Sequence, residues 1–379
     1  MPEPEKTENS RTVVVTDVRY RSAIAAIRAL GRAGWRVIAV QTRAESPLAP
    51  PAFSSRYVAE CRWLEGSCKE AAYAGRLLAL LGEYEQPVLL CIGAVTLNLV
   101  AGRRRDFAAV SRFLIAEPEV LDRANDKQQV HEMAEALGIP VPLEFHGEPD
   151  SYPVIVKPHC GEKAGLKAEQ RYIRAEDPET FRAAVEKMRA YDPAPIVQQQ
   201  VSGDGIGVSL LLDGEGRLLS ALCHRRIREY PVTGGPSTCC ESFYDAALVQ
   251  RAYRLLQALR FTGMAMVEFK GACILEINPR IWGSFPMTDC AGSSFALRYA
   301  EAAAGSLHGP PESVCDYRAG VRMRFLLNDT LAGLAYLKRG DLRRGLGGLF
   351  GLPVAKEALW NREDPAPFFR YLRVNLLRR

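Results

Sequence analysis

A mixed α/β and α+β chain of more than one unit, opening on a doubly wound parallel sheet, is the architecture the sequence predicts. Three observations carry it. The chain has 379 residues, 47% hydrophobic and 25% charged, more than one small core accommodates. Residues 12–40 read as strand, helix and strand: the β-branched run TVVVT, the amphipathic SAIAAIRALGRAG ending at Gly34, then WRVIAV. Apolar runs and helical periodicity then alternate as far as Arg280.

In the first unit, this strand–helix–strand start implies parallel strands. Further strands are expected at Tyr57–Ala59 and Val88–Ile92, with a helix from about Cys68 to Gly82 between them. Ligands of such a sheet sit beyond the carboxyl ends of its strands, so the loop Asp17–Arg21 and the segment from Gly93 are candidate site walls. Where a GxGxxG fingerprint would open the first helix the chain has TDVRYRS, which disfavours a nicotinamide or flavin. Arg19 and Arg21 read either as holders of an anionic substrate group or as solvated loop arginines.

A helix from about Asp126 to Leu137 ends at Gly138, and the prolines of IPVPLEF force an extended chain after it. Then come the strand YPVIVKPH, the Gly- and Lys-rich CGEKAGLK, the strand QRYI, a helix over about Pro178–Ala190 and the strand PIVQQQV. A strand pair turns at Asp213–Gly216, the polar loop REYPVTGGPSTCCES follows, and a helix over about Asp245–Leu259 leads to the strand pair GMAMVEFKGACILEINPR.

Charges inside apolar strands need partners. Glu268 and Glu276 lie in MAMVEFK and CILEINP; with Asn278 they form an all-oxygen set suited to magnesium, the alternative being ion pairs with Lys270 and Arg280. Lys157 ends VIVKP and calls for an anion such as phosphate, and the loop after it, with Gly161, Lys163, Gly165 and Lys167, has the make-up of a phosphate cover.

Several classes are excluded or disfavoured. A balance of 49 Lys+Arg against 44 Asp+Glu is too mild for nucleic acid as the main partner. The longest charge-free stretch, Gln86–Gly102, is too short and too polar to cross a bilayer, and MPEPEKTENSR lacks the basic and apolar regions of a secretory signal, so a cytoplasmic location is expected. Ten cysteines without a CxxC pair fit reduced thiols; Cys239-Cys240 reads as a redox pair or, more commonly, as packing. There is no GxSxG elbow.

Taken in order, ANDKQQVHEMAEALGIPVP with Lys127, VIVKP with Lys157, the hinge VQQQVSG, VEFK and LEINPR resemble the signature of the ATP-grasp superfamily of carboxylate-amine ligases, over about Asp122–Gly305. HRRIREYPVTGGPST and EINPRIWGS are most similar to its bacterial D-aspartate ligase-like group, and residues 12–115 resemble the Rossmann-like domain that precedes ATP-grasp folds. The resemblance implies a flexible N-terminus (1–11), that Rossmann-like domain (12–115), an ATP-grasp domain (116–305, lid about 150–200) and a basic helical extension (306–379).

It further implies that Lys127 and Lys157 contact ATP phosphates under a loop carrying Gly161, Lys163 and Gly165, and that Gln198, Gln199, Gln200 and Val201 border adenine. Gln199 stands where these enzymes often have an acid, and Asp204 is the candidate for the ribose hydroxyls. Glu268, Glu276 and Asn278 would bind Mg2+, for which Mn2+ can substitute, with Arg280 near the transferred phosphate and either Arg225 or Arg226 facing it. His159 and His224 read as phosphate donors or structural residues, and Gly234, Gly235 and Ser237 as an acceptor-pocket wall or a plain turn.

The implied activity is ATP-dependent amide or peptide-like bond formation through an acyl phosphate, on small-molecule or carrier-linked carboxylates and amines. A phosphotransferase and a non-catalytic nucleotide-binding module are the alternatives, and a homo-oligomer is left open. From Gly320 the chain carries 12 Lys+Arg against 5 Asp+Glu. There Asn328 is expected to cap the helix DTLAGLAYLKRG, with Leu331, Leu334, Ala335 and Leu337 on its apolar face, followed by LRRGLGGLFGL. This basic segment reads as a peripheral contact with anionic membrane or as an ordinary docked helix with a solvated face.

Overall fold

The computed structural model describes residues 11–159, 172–232, 234–307, 309, 311–352 and 354–377; Gly161, Lys163 and Gly165 lie outside them. The first unit runs β1 (Thr12–Thr16), α1 (Arg21–Arg32), β2 (Arg36–Thr42), β3 (Val58–Leu64), α2 (Tyr73–Leu81) and β4 (Val88–Cys91). Its strands pair in parallel in the order β3-β2-β1-β4. Strand order therefore reverses between β1 and β4, the expected ligand crevice. There Asp17 adopts a left-handed φ of 55° and its carboxylate accepts from Gly93 N, so closely that a Cβ at Gly93 would lie 2.8 Å from its Cγ.

The strand expected at Tyr57–Ala59 extends to Leu64, where it forms the sheet edge and alternates between covered and open positions, a pattern hard to see in ECRWL. The helix expected from Cys68 begins only at Tyr73, because Ser67–Glu70 form a turn in which Glu70 Oε1 accepts from Ser67 N.

Next come α3 (Ala94–Gly102), α4 (Arg104–Val110), α5 (Pro118–Asn125) and α6 (Lys127–Ala136), then β5 (Val154–Lys157), β6 (Ile173–Ala175), α7 (Pro178–Arg189) and β7 (Ile196–Gln199). The last three strands form a small antiparallel sheet, β6-β5-β7, with its own core of Val154, Val156, Phe181, Ala184 and Met188. The hinge strand expected at 198–201 thus ends at Gln199, and Gln200 and Val201 lead out of it.

The largest sheet is built from β8 (Gly205–Leu212), β9 (Leu218–Glu229), β10 (Ser237–Phe243), and, after α8 (Ala246–Ala258), β11 (Gly263–Lys270) and β12 (Cys273–Asn278). Beyond α9 (Pro286–Ala291) and α10 (Phe295–Ala304), it is completed by β13 (Arg322–Arg324), then α11 (Leu326–Lys338), α12 (Leu342–Phe350), β14 (Lys356–Glu357) and α13 (Ala366–Leu377). The order is β12-β11-β8-β9-β10-β13-β14, antiparallel except for the last pair.

The residues after 306 are thus integral: they add two strands, and their Asp364 reaches back to the first unit. There it accepts from Arg28 Nε at 2.9 Å, Ser55 Oγ at 2.8 Å and Arg56 N at 2.9 Å, and the Arg28 and Asp364 side chains are all but closed to solvent. Asn328 sits inside α11 rather than capping it, and the helix buries Asp329, Ala332, Gly333 and Tyr336 while Leu334 faces out. No described helix is long and apolar enough to cross a membrane. Nine described cysteines are free; Cys239 and Cys240 are buried on β10, and burial pushes both thiols up, away from thiolate chemistry.

Candidate active site

The β11–β12 hairpin sets two carboxylates face to face: Glu268 pairs in register with Glu276, and Asn278 lies two residues further along the same face. Burial, then the neighbouring Glu276 charge, push the Glu268 carboxyl up, against the pull of Arg226. Cations from other elements meet the pair. Lys127 opens α6, whose N-cap Asp126 accepts from Gln128 N and Gln129 N, and its Nζ lies 3.1 Å from Glu276 Oε2. Arg226 lies 3.5 Å from Glu268 Oε2 and 3.0 Å from Glu229. Asn278 donates to Glu268 Oε1 at 3.1 Å, and Arg280 sits within 3.5 Å of Asn278 Oδ1. Lys127 and Arg226, which arrive from separate elements, meet the carboxylates where sequence proximity offered Lys270.

Lys157 reaches the same group from the end of β5. It is buried, and burial together with the charge of Lys127 lowers its ammonium to about 7, with Glu276 and Glu144 pulling the other way. His131, one turn along α6 from Lys127, is locked beneath: its Nε2 bonds Leu275 O and its Nδ1 bonds Gln198 Nε2, each within 3.1 Å. Burial lowers this imidazole to about 4, so it is neutral, accepts from Gln198 and donates to Leu275. His131 ties β7 and β12 to α6. Sequence reading missed it because it sits on the buried stripe of an ordinary amphipathic helix; its i+4 spacing from Lys127 is the one available signal.

Beside the carboxylates opens a cleft floored by Gly205, Gly207 and His224 and walled by Arg21, Arg226, Ser237 and Ser284. Gly207 is required: a Cβ there would stand 2.4 Å from His224 Cε1. His224 bonds Ser284 Oγ through Nε2 at 2.9 Å, and burial lowers it to about 3. Of the two arginines left open, strand alternation turns Arg226 into the cleft and Arg225 to the opposite face, where it is paired with Glu241 and leans on Phe243.

Arg21 enters the cleft wall from the start of α1. Its Nη1 donates to Asn328 Oδ1 at 3.0 Å and its guanidinium lies 3.8 Å from the Phe325 ring centre, both neutral partners from the C-terminal segment. Burial lowers its pKa. Arg19 turns elsewhere, stacking on Tyr20 at 4.7 Å.

Other expected groups fall differently. Gln198 is 2% exposed and its amide is spent on His131, while Gln199 is exposed, Gln200 follows it and Asp204 faces solvent with its carbonyl on Gly271 N. The amides of Gly234 and Gly235 both donate to Pro231 O, so that segment is a plain turn packed on Tyr172 and Tyr230, and Ser237 alone of the three lines the cleft. His159 is held between Asp192 and Gln128, a structural place.

The donor set suits a hard divalent cation: two opposed carboxylates whose mutual repulsion it would relieve, and an amide oxygen. Among the described residues no three His, Cys, Asp or Glu side chains gather in a metal cluster. Magnesium asks for no more than one or two carboxylates when phosphate and water complete its shell.

Residues 124–284 match the ATP-grasp domain family. The fold is similar to biotin carboxylase from Campylobacter jejuni solved as a beta-gamma-ATP complex, at 14% identity and a TM-score of 0.60 over 82% of this chain and 74% of that one. It is also similar to the biotin carboxylase domain of 2-oxoglutarate carboxylase from Hydrogenobacter thermophilus, solved with MgADP and bicarbonate (14%, 0.61, 83% and 74%). An L-amino acid ligase from Bacillus licheniformis is similar to the same degree (16%, 0.57, 83% and 79%). No curated protein matches the chain by sequence.

Proposed function

We propose, from the ATP-grasp domain that residues 124–284 carry, that this protein is an ATP- and magnesium-dependent carboxylate-amine ligase. The observation behind the reading is the convergence of Lys127, Lys157, Glu268, Glu276 and Arg226 from α6, β5, the β11–β12 hairpin and β9 into one cluster of charges, of which Arg226 and Glu268 also line the cleft. Three of these five side chains are cations, which suits a polyphosphate beside a divalent ion.

In this reading a substrate carboxylate oxygen attacks the γ-phosphorus, ADP leaves, and the acyl phosphate is displaced by an amine to give an amide and phosphate. Lys127 and Lys157 neutralise the phosphate chain, and Arg226 and Arg280 face the transferred group as its charge spreads. Glu268, Glu276 and Asn278 would hold magnesium, which supplies charge neutralisation on the phosphates. Arg21 lines the cleft beside Asn328, Phe325 and Tyr371, with the Glu357 charge also acting on it, and it is the cation proposed to meet an anionic group of the substrate.

The test is ADP release with MgATP against pools of carboxylates, with and without amines, followed by mass spectrometry. A product equal to acid plus amine less water is expected. A phosphorylated product without amine would mean a phosphotransferase, and nucleotide binding without turnover a non-catalytic module.

Lys157 adds a pH signature. Near pH 8 an ammonium lowered to about 7 is mostly neutral, and bound phosphate favours its charged form. Nucleotide binding is therefore expected to take up a proton at about pH 8 and to weaken as pH rises above about 7. Calorimetry in buffers of different ionisation enthalpy measures this; equal heats in all buffers would refute it.

A further inference from the structure

Helix α12 is built inside out. In an ordinary docked helix the leucines face the protein, yet in LRRGLGGLF the inward positions are Gly345, Gly347 and Gly348. They are needed there: a Cβ on Gly345 would lie 2.4 Å from Leu337 Cδ2, one on Gly348 2.6 Å from Asp329 O, and one on Gly333 of α11 2.8 Å from Gly345 O. The two helices meet backbone to backbone, which leaves the large side chains to point away.

Leu342, Leu346 and Phe350, spaced i, i+4 and i+8 on one face, are 65%, 46% and 72% exposed, and Leu352 and Val354 beyond them are 53% and 86% exposed. A cluster of this kind marks a contact surface. Its rim is cationic, with Lys338, Arg339, Arg343 and Arg344 against one acid, Asp341, which is occupied capping α12 through Arg344 N.

We propose that α11–α12 docks in the plane of an anionic membrane, with Leu342, Leu346 and Phe350 entering the acyl boundary and the four cations lying among phosphate headgroups. Charge selects this occupant: in a symmetric contact with a second copy, the same cations would face each other. The proposal does not depend on the ligase reading, since it concerns where the chain sits rather than what it catalyses.

The test floats the full-length protein with phosphatidylcholine vesicles, alone or mixed with phosphatidylglycerol. The protein is expected to float with the anionic vesicles, less so at high salt. Leu346→Gln/Phe350→Gln should lower partitioning by about tenfold or more, and Arg343→Glu/Arg344→Glu should erase the preference for anionic lipid. All four side chains are exposed, so both variants should keep the wild-type melting curve. Failure of the wild-type protein to float with anionic vesicles would overturn the proposal, as would undiminished flotation of Leu346→Gln/Phe350→Gln. A wild-type dimer that the same variant turns monomeric, with no flotation by either, would assign the surface to a second copy instead.

Discussion

Glu276→Gln is expected to reduce ADP release by at least about 100-fold while leaving the chain folded. The substitution keeps the shape of the side chain but removes the charge that faces Lys127 at 3.1 Å and stands opposite Glu268. Lys127 then loses its ion-pair partner, Lys157 loses an anion that favours its charged form, and the proposed magnesium site loses one of its two carboxylates. Glu276 is 32% exposed in its side chain, so losing the ion pair costs little stability and the melting curve should barely move. A direct binding assay separates the causes: MgATP should bind more weakly to the variant, whereas nucleotide without metal should change less. Activity within about threefold of wild type would remove Glu276 from the proposed chemistry.

Asp329→Ala is expected to destabilise the chain by about 3 to 5 kcal/mol. The carboxylate is closed to solvent and takes bonds from Arg228 Nε and Nη2 at 2.8 and 2.7 Å and from Thr238 Oγ1 at 3.0 Å, with Arg324 Nε 3.4 Å away. Alanine would strand two buried guanidinium groups. Those same arginines hold the α11–α12 pair, Arg228 through Leu352 O at 2.9 Å and Arg324 through Gly348 O at 3.2 Å. Denaturant midpoints and limited proteolysis within 326–352 measure the effect. A loss under about 1 kcal/mol would mean that the triad contributes no more than exposed ion pairs do.

Much of this molecule is readable along the chain. TVVVT, VIVKP, MAMVEFK and CILEIN become strands because β-branched and apolar residues recur with strand spacing, and the capped helix at Lys127 follows from Asp126 and its periodicity. Lys157, Glu268 and Glu276 announce themselves as charges in apolar strands, where desolvation demands partners. The resemblance to ATP-grasp domains over 124–284 is local too, since its motifs are short and come in a set order.

Elsewhere the outcome rests on residues far apart in sequence. Arg21 finds Asn328 across 307 positions, which takes that asparagine from its expected cap and brings the C-terminal segment to the cleft wall. Gln198 looks like a hinge ligand until His131 claims its amide, and the Gly234-Gly235 amides are consumed by Pro231. In α11, periodicity nominates Leu331, Leu334, Ala335 and Leu337 for the apolar face, yet the close approach of α12 at Gly333, Gly345 and Gly348 buries Asp329, Ala332, Gly333 and Tyr336 and leaves Leu334 exposed. Local propensity and the desolvation cost of an isolated charge are properties of short segments, so they can be read in order from the chain. Which side of a strand or helix is inside, and which ion answers which, depends on the packed surface that arrives opposite, and that exists only once the chain is folded.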